Sequence, residues 1–193
     1  MSNELFTLIV SGCEPDSYYD IVCKETPNML MSFLYAQKKG KGFIPKRAKQ
    51  RPDVKFLIDS GAHTFLTRQE EYIDKDLAYW EKYLEDYLQF ARDNKEHISA
   101  IVELDIDALV GPAQVEEWRE KYFEPLEREG IQVCYVWHEV KGLDAWDSMC
   151  QKYCYVGFSF QEKQFSPKEI NRLFFSAKKY NARVHGSIGP FIQ

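Results

Sequence analysis

The stretch Val54-Lys55-Phe56-Leu57-Ile58 runs directly into Asp59-Ser60-Gly61, and this junction decides the fold. A second apolar run, Ile101 to Leu104, leads in the same way into Asp105-Ile106-Asp107. Short apolar runs that end on a carboxylate, with helical sequence between them, are typical of strand C-termini in parallel α/β proteins. In such proteins the ligand site lies beyond those strand ends.

A third apolar run ends on an imidazole, because Val133 to Trp137 leads into His138-Glu139. An aspartate after a single strand is also a common turn former or helix N-cap. Three polar strand ends in one chain favour a shared site instead, since parallel strands bring their C-termini to one edge. The pattern therefore predicts the position of a functional site, and it does not by itself predict the reaction or the ligand.

Helical sequence alternates with the apolar runs. Residues 73–94 carry apolar side chains at spacings of three and four, which predicts an amphipathic helix with an acidic outer face. Further helices are expected over residues 27–38, 113–129, 143–151 and 167–180, and strands over 5–10, 54–58, 98–104, 131–137, 153–158 and 183–185. This order predicts an α/β fold, a TIM-barrel-like (β/α) repeat with parallel strands.

The number of predicted strands is low for a closed barrel. A complete (β/α)₈ barrel usually takes ~250 residues and at least ~200, whereas this chain has 193. We found no linker, repeat or low-complexity tract, so we expect one barrel-like domain over residues 1–193, incomplete or abbreviated, with about six strands. A longer natural chain beyond Gln193, or a partner subunit in an oligomer, would also account for the missing strands.

Composition limits the class of protein. A formal net charge of −5 and a pI near 5.5 give no general attraction to nucleic acid. No apolar run reaches the ~18 residues of a membrane helix, and the first residues lack the features of a signal peptide. Five cysteines without a CxxC pair fit a reducing compartment and argue against structural zinc. We expect a cytoplasmic protein without a membrane partner or a cofactor.

One segment departs from the acidic average. Residues 38–51 read KKGKGFIPKRAKQR, with seven basic residues and no acid, and their glycines and proline predict a loop. The segment is either a solvated loop or a contact for the phosphates of a nucleic acid or nucleotide, which weakens steeply with salt. The candidate contacts to tRNA or DNA are Lys46, Arg47, Lys49 and Arg51.

The segment LIDSGAHTF, around Asp59, resembles the tRNA-guanine transglycosylase (queuine tRNA-ribosyltransferase) superfamily, whose members carry an Asp-Ser-Gly-(Gly/Ala/Ser)-Phe motif after an early barrel strand. The stretches VELDID, Gly130 to His138, YCYVGFS and RVHGSIG follow in the family's order, so the likeness extends from about Phe56 to Gly189. The chain is most similar to compact phage and prophage members that lack the zinc-binding subdomain.

The resemblance implies a glycosyltransferase that binds guanine or a 7-deazaguanine such as queuine. Asp59 would act beside the base as a binding carboxylate or proton-transfer group, and Asp105 would read its amidine edge, with Asp107 as the alternative. Ionised carboxylates suit this task because they accept two N–H bonds from such an edge. The implied substrate-binding residues also include Ser60, Gly61, His138, Gly157 and His185.

Three positions depart from the family pattern. His63 stands where the family usually has Phe, Phe158-Ser159 replaces a Gly-rich turn, and no Asp or Glu follows Glu169. The family's nucleophile, an Asp that attacks the ribose C1′, would lie in that last region. Base exchange through a glycosyl-enzyme intermediate therefore has no identifiable nucleophile in this chain.

Two other interpretations stay open. Imidazoles and carboxylates at barrel strand ends also hold zinc or manganese in metal-dependent hydrolases, although no HxH or HExxH spacing is present. A non-catalytic nucleotide- or nucleic-acid-binding protein is the other alternative. The residues that a metal site would use are Asp59, His63, Asp105, His138 and His185.

Overall fold

The computed structural model describes residues 9–159 and 165–187, and it divides the chain into two compact units, one up to Gln132 and one from Val133 onward. In both units strands alternate with helices along the chain. Every strand pair described within a unit is parallel. The predicted α/β class, a TIM-barrel-like (β/α) repeat of about six parallel strands, is therefore confirmed. That the two units form one domain stays a prediction.

The first unit contains three parallel strands in the order β1–β2–β3. Ser32 lies opposite Asp59, and Ile58 lies opposite Ile101, so the three strands end at the same edge. This edge positions the candidate site. The strands are β1 (Asn28–Ser32), β2 (Lys55–Asp59) and β3 (Ile98–Val102).

Helices fill the connections of the first unit. The helix predicted over residues 73–94 is confirmed but begins later, because the Asp76 carboxylate caps it by accepting the Tyr79 N–H at 2.9 Å. The helix predicted over 113–129 is also confirmed, with a π-helical turn at Arg119–Phe123 between its two α-helical parts. The helices are α1 (Asp16–Glu25), α2 (Phe33–Ala36), α3 (Phe43–Gln50), α4 (Ala62–Thr67), α5 (Gln69–Tyr72), α6 (Leu77–Asp93), α7 (Asp107–Val110), α8 (Pro112–Trp118) and α9 (Glu124–Arg128).

The helix predicted over residues 27–38 is wrong. Asn28–Ser32 forms β1, and only the short α2 and a 3₁₀ turn at Gln37–Lys39 follow it. Met29 and Met31 point to the buried side of a strand that pairs along its whole length with β2. Sheet pairing here overrides a composition that favours helix.

The loop predicted over residues 38–51 is also wrong in its second half, because Phe43–Gln50 forms α3. Pro45 lies in the first turn of this helix, where a backbone N–H has no intrahelical acceptor, so proline is tolerated there. The glycines Gly40 and Gly42 precede the helix. The basic segment therefore presents its side chains on a rigid helix as well as on a turn.

The second unit pairs three further strands in the order β4–β5–β6. Trp146 packs edge-on against Trp137 and Phe158, and its indole N–H donates to the Leu173 carbonyl at 3.0 Å. A capping box between Ser166 and Glu169 begins the last helix. The elements are β4 (Val133–Trp137), α10 (Gly142–Lys152), β5 (Tyr155–Ser159), α11 (Pro167–Lys179) and β6 (Arg183–Ser187).

The strand predicted over residues 5–10 lies mostly outside the described residues. Within them, Val10 forms a parallel bridge to Met29. The sequence did not lead us to expect α1, which follows directly. In the described ranges, none of the helices is both long and apolar enough to cross a membrane.

Candidate functional site

The end of β2 is built around a hydrogen bond within the Asp59-Ser60-Gly61 turn. Gly61 donates its N–H to Asp59 Oδ2 at 2.9 Å. Gly61 has a φ of +92°, and a Cβ at this position would lie 2.8 Å from the Cβ of Leu34. Only glycine fits both requirements. The motif residue thus fixes the orientation of the Asp59 carboxylate.

A second carboxylate, Glu14, lies beside Asp59. Glu14 is only 7% exposed, and its Oε1 accepts the Ser32 N–H at 2.5 Å. Ser32 is the register partner of Asp59, so this bond holds Glu14 at the ends of β1 and β2. The two carboxylates are close enough for the charge of Glu14 to act on Asp59.

The surroundings of Asp59 favour its neutral form. Burial is the largest effect and raises the pKa of the Asp59 carboxyl above its usual value, and the charge of Glu14 acts in the same direction. The Gly61 N–H, His63 and the Ser32 hydroxyl oppose this shift without cancelling it. Among the described residues, no Lys, Arg or His forms an ion pair with Asp59. A carboxyl in this state can accept or supply a proton.

Two tyrosines of α6 connect the strand ends. The Tyr83 hydroxyl donates to the Ser60 carbonyl at 2.5 Å, and the Tyr87 hydroxyl lies 2.8 Å from the carbonyls of both Ile58 and Val102. Burial raises the pKa of both phenols, and the charge of Asp59 adds to the shift. These hydroxyls therefore stay protonated and act as donors.

Asp105 also belongs to this edge. Its charge, like that of Asp59, raises the pKa of Tyr87, so both carboxylates lie within electrostatic range of one hydroxyl. Asp105 is half-buried in the connection after β3, and the next residue, Ile106, is fully buried. Asp107, the alternative to Asp105, is the first residue of α7, where a carboxylate complements the helix dipole. We call Glu14, Asp59 and Asp105 the carboxylate edge.

A further acidic residue near this edge has a different role. Glu103 follows β3 directly, is completely buried, and accepts two hydrogen bonds from Arg119 at 2.6 and 2.7 Å. Arg119 is itself buried, in the π-helical turn between α8 and α9. This bidentate ion pair ties the end of β3 to the helix that follows it.

The remaining predicted substrate-binding residues lie in the second unit. His138 follows β4 and is half-buried. Gly157 of β5 lies opposite His185 of β6, and a Cβ on Gly157 would lie 3.0 Å from the Cys134 sulfur, which gives a packing reason for this glycine. Burial lowers the pKa of His185. The convergence of His138 with Asp59 and Asp105 stays a prediction.

The four predicted nucleic-acid contacts separate into two pairs. Lys46 and Lys49 are exposed on α3. Arg47 is 2% exposed, donates to Asp16 Oδ1 at 2.6 Å and to the Glu14 carbonyl at 3.3 Å, and lies over the Tyr19 ring. Arg51 donates to the Asp53 carboxylate and to the Cys23 carbonyl.

Sequence reasoning missed Glu14, Tyr83 and Tyr87 as site residues. Glu14 follows the predicted apolar run at residues 5–10 by four positions, so the rule of a strand closed by a carboxylate could have included it. Tyr87 was assigned only to the buried face of its helix, and Tyr83 was not singled out. A phenol on that face has one apolar and one polar end, which suits contact with strand carbonyls.

No three His, Cys, Asp or Glu side chains within residues 9–159 and 165–187 are arranged to hold a metal ion. The carboxylate edge instead offers carboxyl oxygens, which accept hydrogen bonds from a polar organic ligand. No protein-family model and no curated protein sequence matches the chain. The geometry of the site and the sequence motifs are therefore the basis on which a function can be inferred.

Proposed function

We propose that the carboxylate edge binds guanine or a 7-deazaguanine base. One observation carries the proposal: Asp59 is held by the Gly61 N–H at a strand end in a desolvated position, beside Glu14 and without an ion pair to any described Lys, Arg or His. Such a position costs free energy in the empty protein. A ligand that brings N–H donors removes that cost, because charge-assisted hydrogen bonds are strong.

The ligand class follows from the kinds of group at the edge. Guanine presents adjacent N–H donors on one side of its ring, and carboxylates at neighbouring strand ends are acceptors for such donors. Asp59 and Asp105 are our candidates for this recognition. The resemblance at LIDSGAHTF and VELDID supports the same base and the same two aspartates.

The proposal concerns binding of the base, and base exchange would be an additional activity. If base exchange takes place, Asp59 is the group suited to proton transfer, because its pKa is raised and Glu14 is adjacent. The nucleophile for that reaction is not identifiable in the chain. The five cysteines are free thiols, which supports a reducing compartment and the cytoplasm as the place of action.

Thermal unfolding with added bases tests the proposal. We expect guanine and 7-deazaguanine to raise the Tm. At a ligand concentration ~100 times Kd, binding should increase the free energy of unfolding by about 2.7 kcal/mol. Adenine should have little effect. Asp59→Asn and Asp105→Asn should each remove most of this shift, because an amide replaces an acceptor-only group with one that also donates.

The matched control is Asp20→Asn, which changes an exposed carboxylate on α1 of the same unit. It should leave the guanine shift intact. Equal stabilisation by adenine, or an equal loss in the Asp20 variant, would show that the edge does not recognise a guanine-like base. The absence of a shift with any purine would contradict the proposal altogether.

A further inference from the structure

The structure sorts the charges of the basic segment into buried and exposed groups. Of the seven basic residues in 38–51, Arg47 and Arg51 are engaged by Asp16 and Asp53. The five lysines are exposed, and none forms an ion pair with another described residue. They are Lys38, Lys39, Lys41, Lys46 and Lys49. Five uncompensated cations on one short segment favour an anionic partner.

Three of these lysines surround an open pocket of about 450 Å³, which we call the lysine pocket. Lys39 and Lys41 reach it from the turn before α3, and Lys46 from the first turns of α3; Gly40, Gly42, Phe43 and Asp16 complete its lining. The acid in the lining is neutralised, because Asp16 Oδ1 lies 2.6 Å from Arg47. The pocket is therefore cationic overall, which favours an anionic group such as a phosphate.

The lysine pocket is linked to the carboxylate edge by a short piece of chain. Asp16 lines the pocket and Glu14 belongs to the edge, so the Cα atoms of these two residues are at most ~7 Å apart. Arg47 fixes this link, since its guanidinium contacts both the Glu14 carbonyl and Asp16. The lysine pocket and the Glu14 backbone at the carboxylate edge are therefore close neighbours in the first unit.

An exposed aromatic ring lies beside the basic segment. Tyr35 of α2 is 43% exposed, and Lys38 Nζ lies 5.7 Å from the centre of its ring. Exposed aromatic rings next to lysines bind unpaired bases by stacking, while the lysines follow the backbone. A duplex offers no free base face at such a ring, so this combination favours a single strand.

We propose that the lysine pocket binds backbone phosphates of a single-stranded nucleic acid and that Tyr35 stacks on one of its bases. This proposal extends the proposed function and depends on it in one respect: the guanine-like base at the carboxylate edge belongs to that same strand. A base must leave its helical stack to enter such a site, which agrees with a single-stranded ligand.

Fluorescence anisotropy with a labelled guanine-containing strand of about 15 nucleotides tests this. We expect wild-type binding that weakens between about 50 and 200 mM salt. Lys41→Glu/Lys46→Glu should weaken it by about tenfold or more and lower the salt slope by about 0.7 for each lysine lost. Tyr35→Ala should reduce affinity without changing the slope, since stacking releases no counterions.

The matched control is Lys168→Glu/Lys178→Glu, two exposed lysines at opposite ends of α11. It makes the same change in net charge, and its two effects on the helix dipole oppose each other. The affinity of this variant should stay within about twofold of wild type. An equal loss in the control would reduce the effect to net charge and overturn the pocket. Thermal unfolding of each variant shows whether it is folded.

Further arms distinguish the sources of phosphate. Tighter binding of the duplex than of the single strand, or lysine-dependent binding only to vesicles with anionic lipids, would overturn the proposal. Binding of inorganic phosphate or guanosine monophosphate as tightly as the strand would also overturn the proposal. Asp59→Asn separates the two proposals. If wild type shows no guanine shift, and Asp59→Asn binds the strand as tightly as wild type does, the base site has failed and the lysine pocket has not.

Discussion

The carboxylates of Glu103 and Asp59 lie at the ends of neighbouring parallel strands, and the fold surrounds them in opposite ways. Glu103 follows β3, has no exposed surface and receives two hydrogen bonds from Arg119. Asp59 ends β2, is half-buried and receives the Gly61 N–H, and the charges of His63 and Glu14 act on it in opposite directions. Glu103 has an ion pair within the protein, whereas Asp59 has none among the described residues.

This difference separates a structural charge from a functional one. A buried charge with a well-placed counterion holds two elements together and cannot contact a ligand. A desolvated carboxylate without a counterion gives no comparable benefit to stability, so its persistence needs another reason. In the sequence Asp59 ends an apolar run and Glu103 lies within the next one, and neither position shows which carboxylate receives a cation. The ion pair from Arg119, in the π-helical turn, distinguishes Glu103 in the structure.

Breaking the structural pair should have the largest effect on stability. We expect Arg119→Ala to lower the free energy of unfolding by about 3–5 kcal/mol, because it leaves the Glu103 carboxylate buried without its cation. The matched control is Arg92→Ala, which removes a bidentate Arg–Glu pair with Glu129 at the surface. Exposed pairs contribute little, so its loss should be much smaller in chemical denaturation. Similar losses in both variants would contradict our distinction.

Removing the support of the functional carboxylate should have an intermediate effect. Gly61→Ala forces a side chain into a left-handed backbone conformation and against Leu34, and we expect a loss of about 1–3 kcal/mol. Gly130→Ala is the control, because Gly130 also has a positive φ, +86°, and a Cβ there would meet only the flexible end of the Lys95 side chain. The excess loss at Gly61 measures the collision with Leu34 in denaturant titrations. If Gly130→Ala costs as much, backbone strain alone explains both losses.

The sequence predicted the strands that end at the site better than the elements around them. β2 and β3 each consist mainly of apolar residues in a run too short for an average helix, which favours a buried strand. The helix α6 is predicted by the spacing of Trp80, Leu84 and Tyr87. β1 could not be recognised in the same way. Its residues Met29 to Met31 suit a helix equally well, and their strand conformation depends on pairing with a segment 27 residues further along the chain.

The side chains of the site show the same limit. Asp59 and Asp105 were predicted because each follows an apolar run. Arg47 could not be separated in sequence from Lys46, although burial against Asp16 and Tyr19 gives it an internal role. Charge in a sequence does not reveal which cations the fold uses, because that depends on contacts with distant residues.

Neutralising the functional carboxylate should have the smallest effect on stability, and its sign should be opposite. The pKa of Asp59 is raised in the folded protein, chiefly by burial, so ionisation of this group disfavours folding. That penalty is absent at low pH, grows as pH rises above the unfolded-state pKa of about 3.9, and is complete above the folded-state pKa. Asp59→Asn keeps an oxygen acceptor for the Gly61 N–H but carries no charge. We therefore expect its Tm to exceed that of wild type at neutral pH and the difference to disappear in acid, measured as Tm against pH.

Glu14→Gln sharpens the comparison, because removing the neighbouring charge should lower the pKa of Asp59 and move the pH dependence of the wild-type curve to lower pH. A lower Tm for Asp59→Asn at neutral pH would mean that the ionised carboxylate already has the stabilising partner that Arg119 gives to Glu103, and the contrast between the two strand ends would then have to be abandoned.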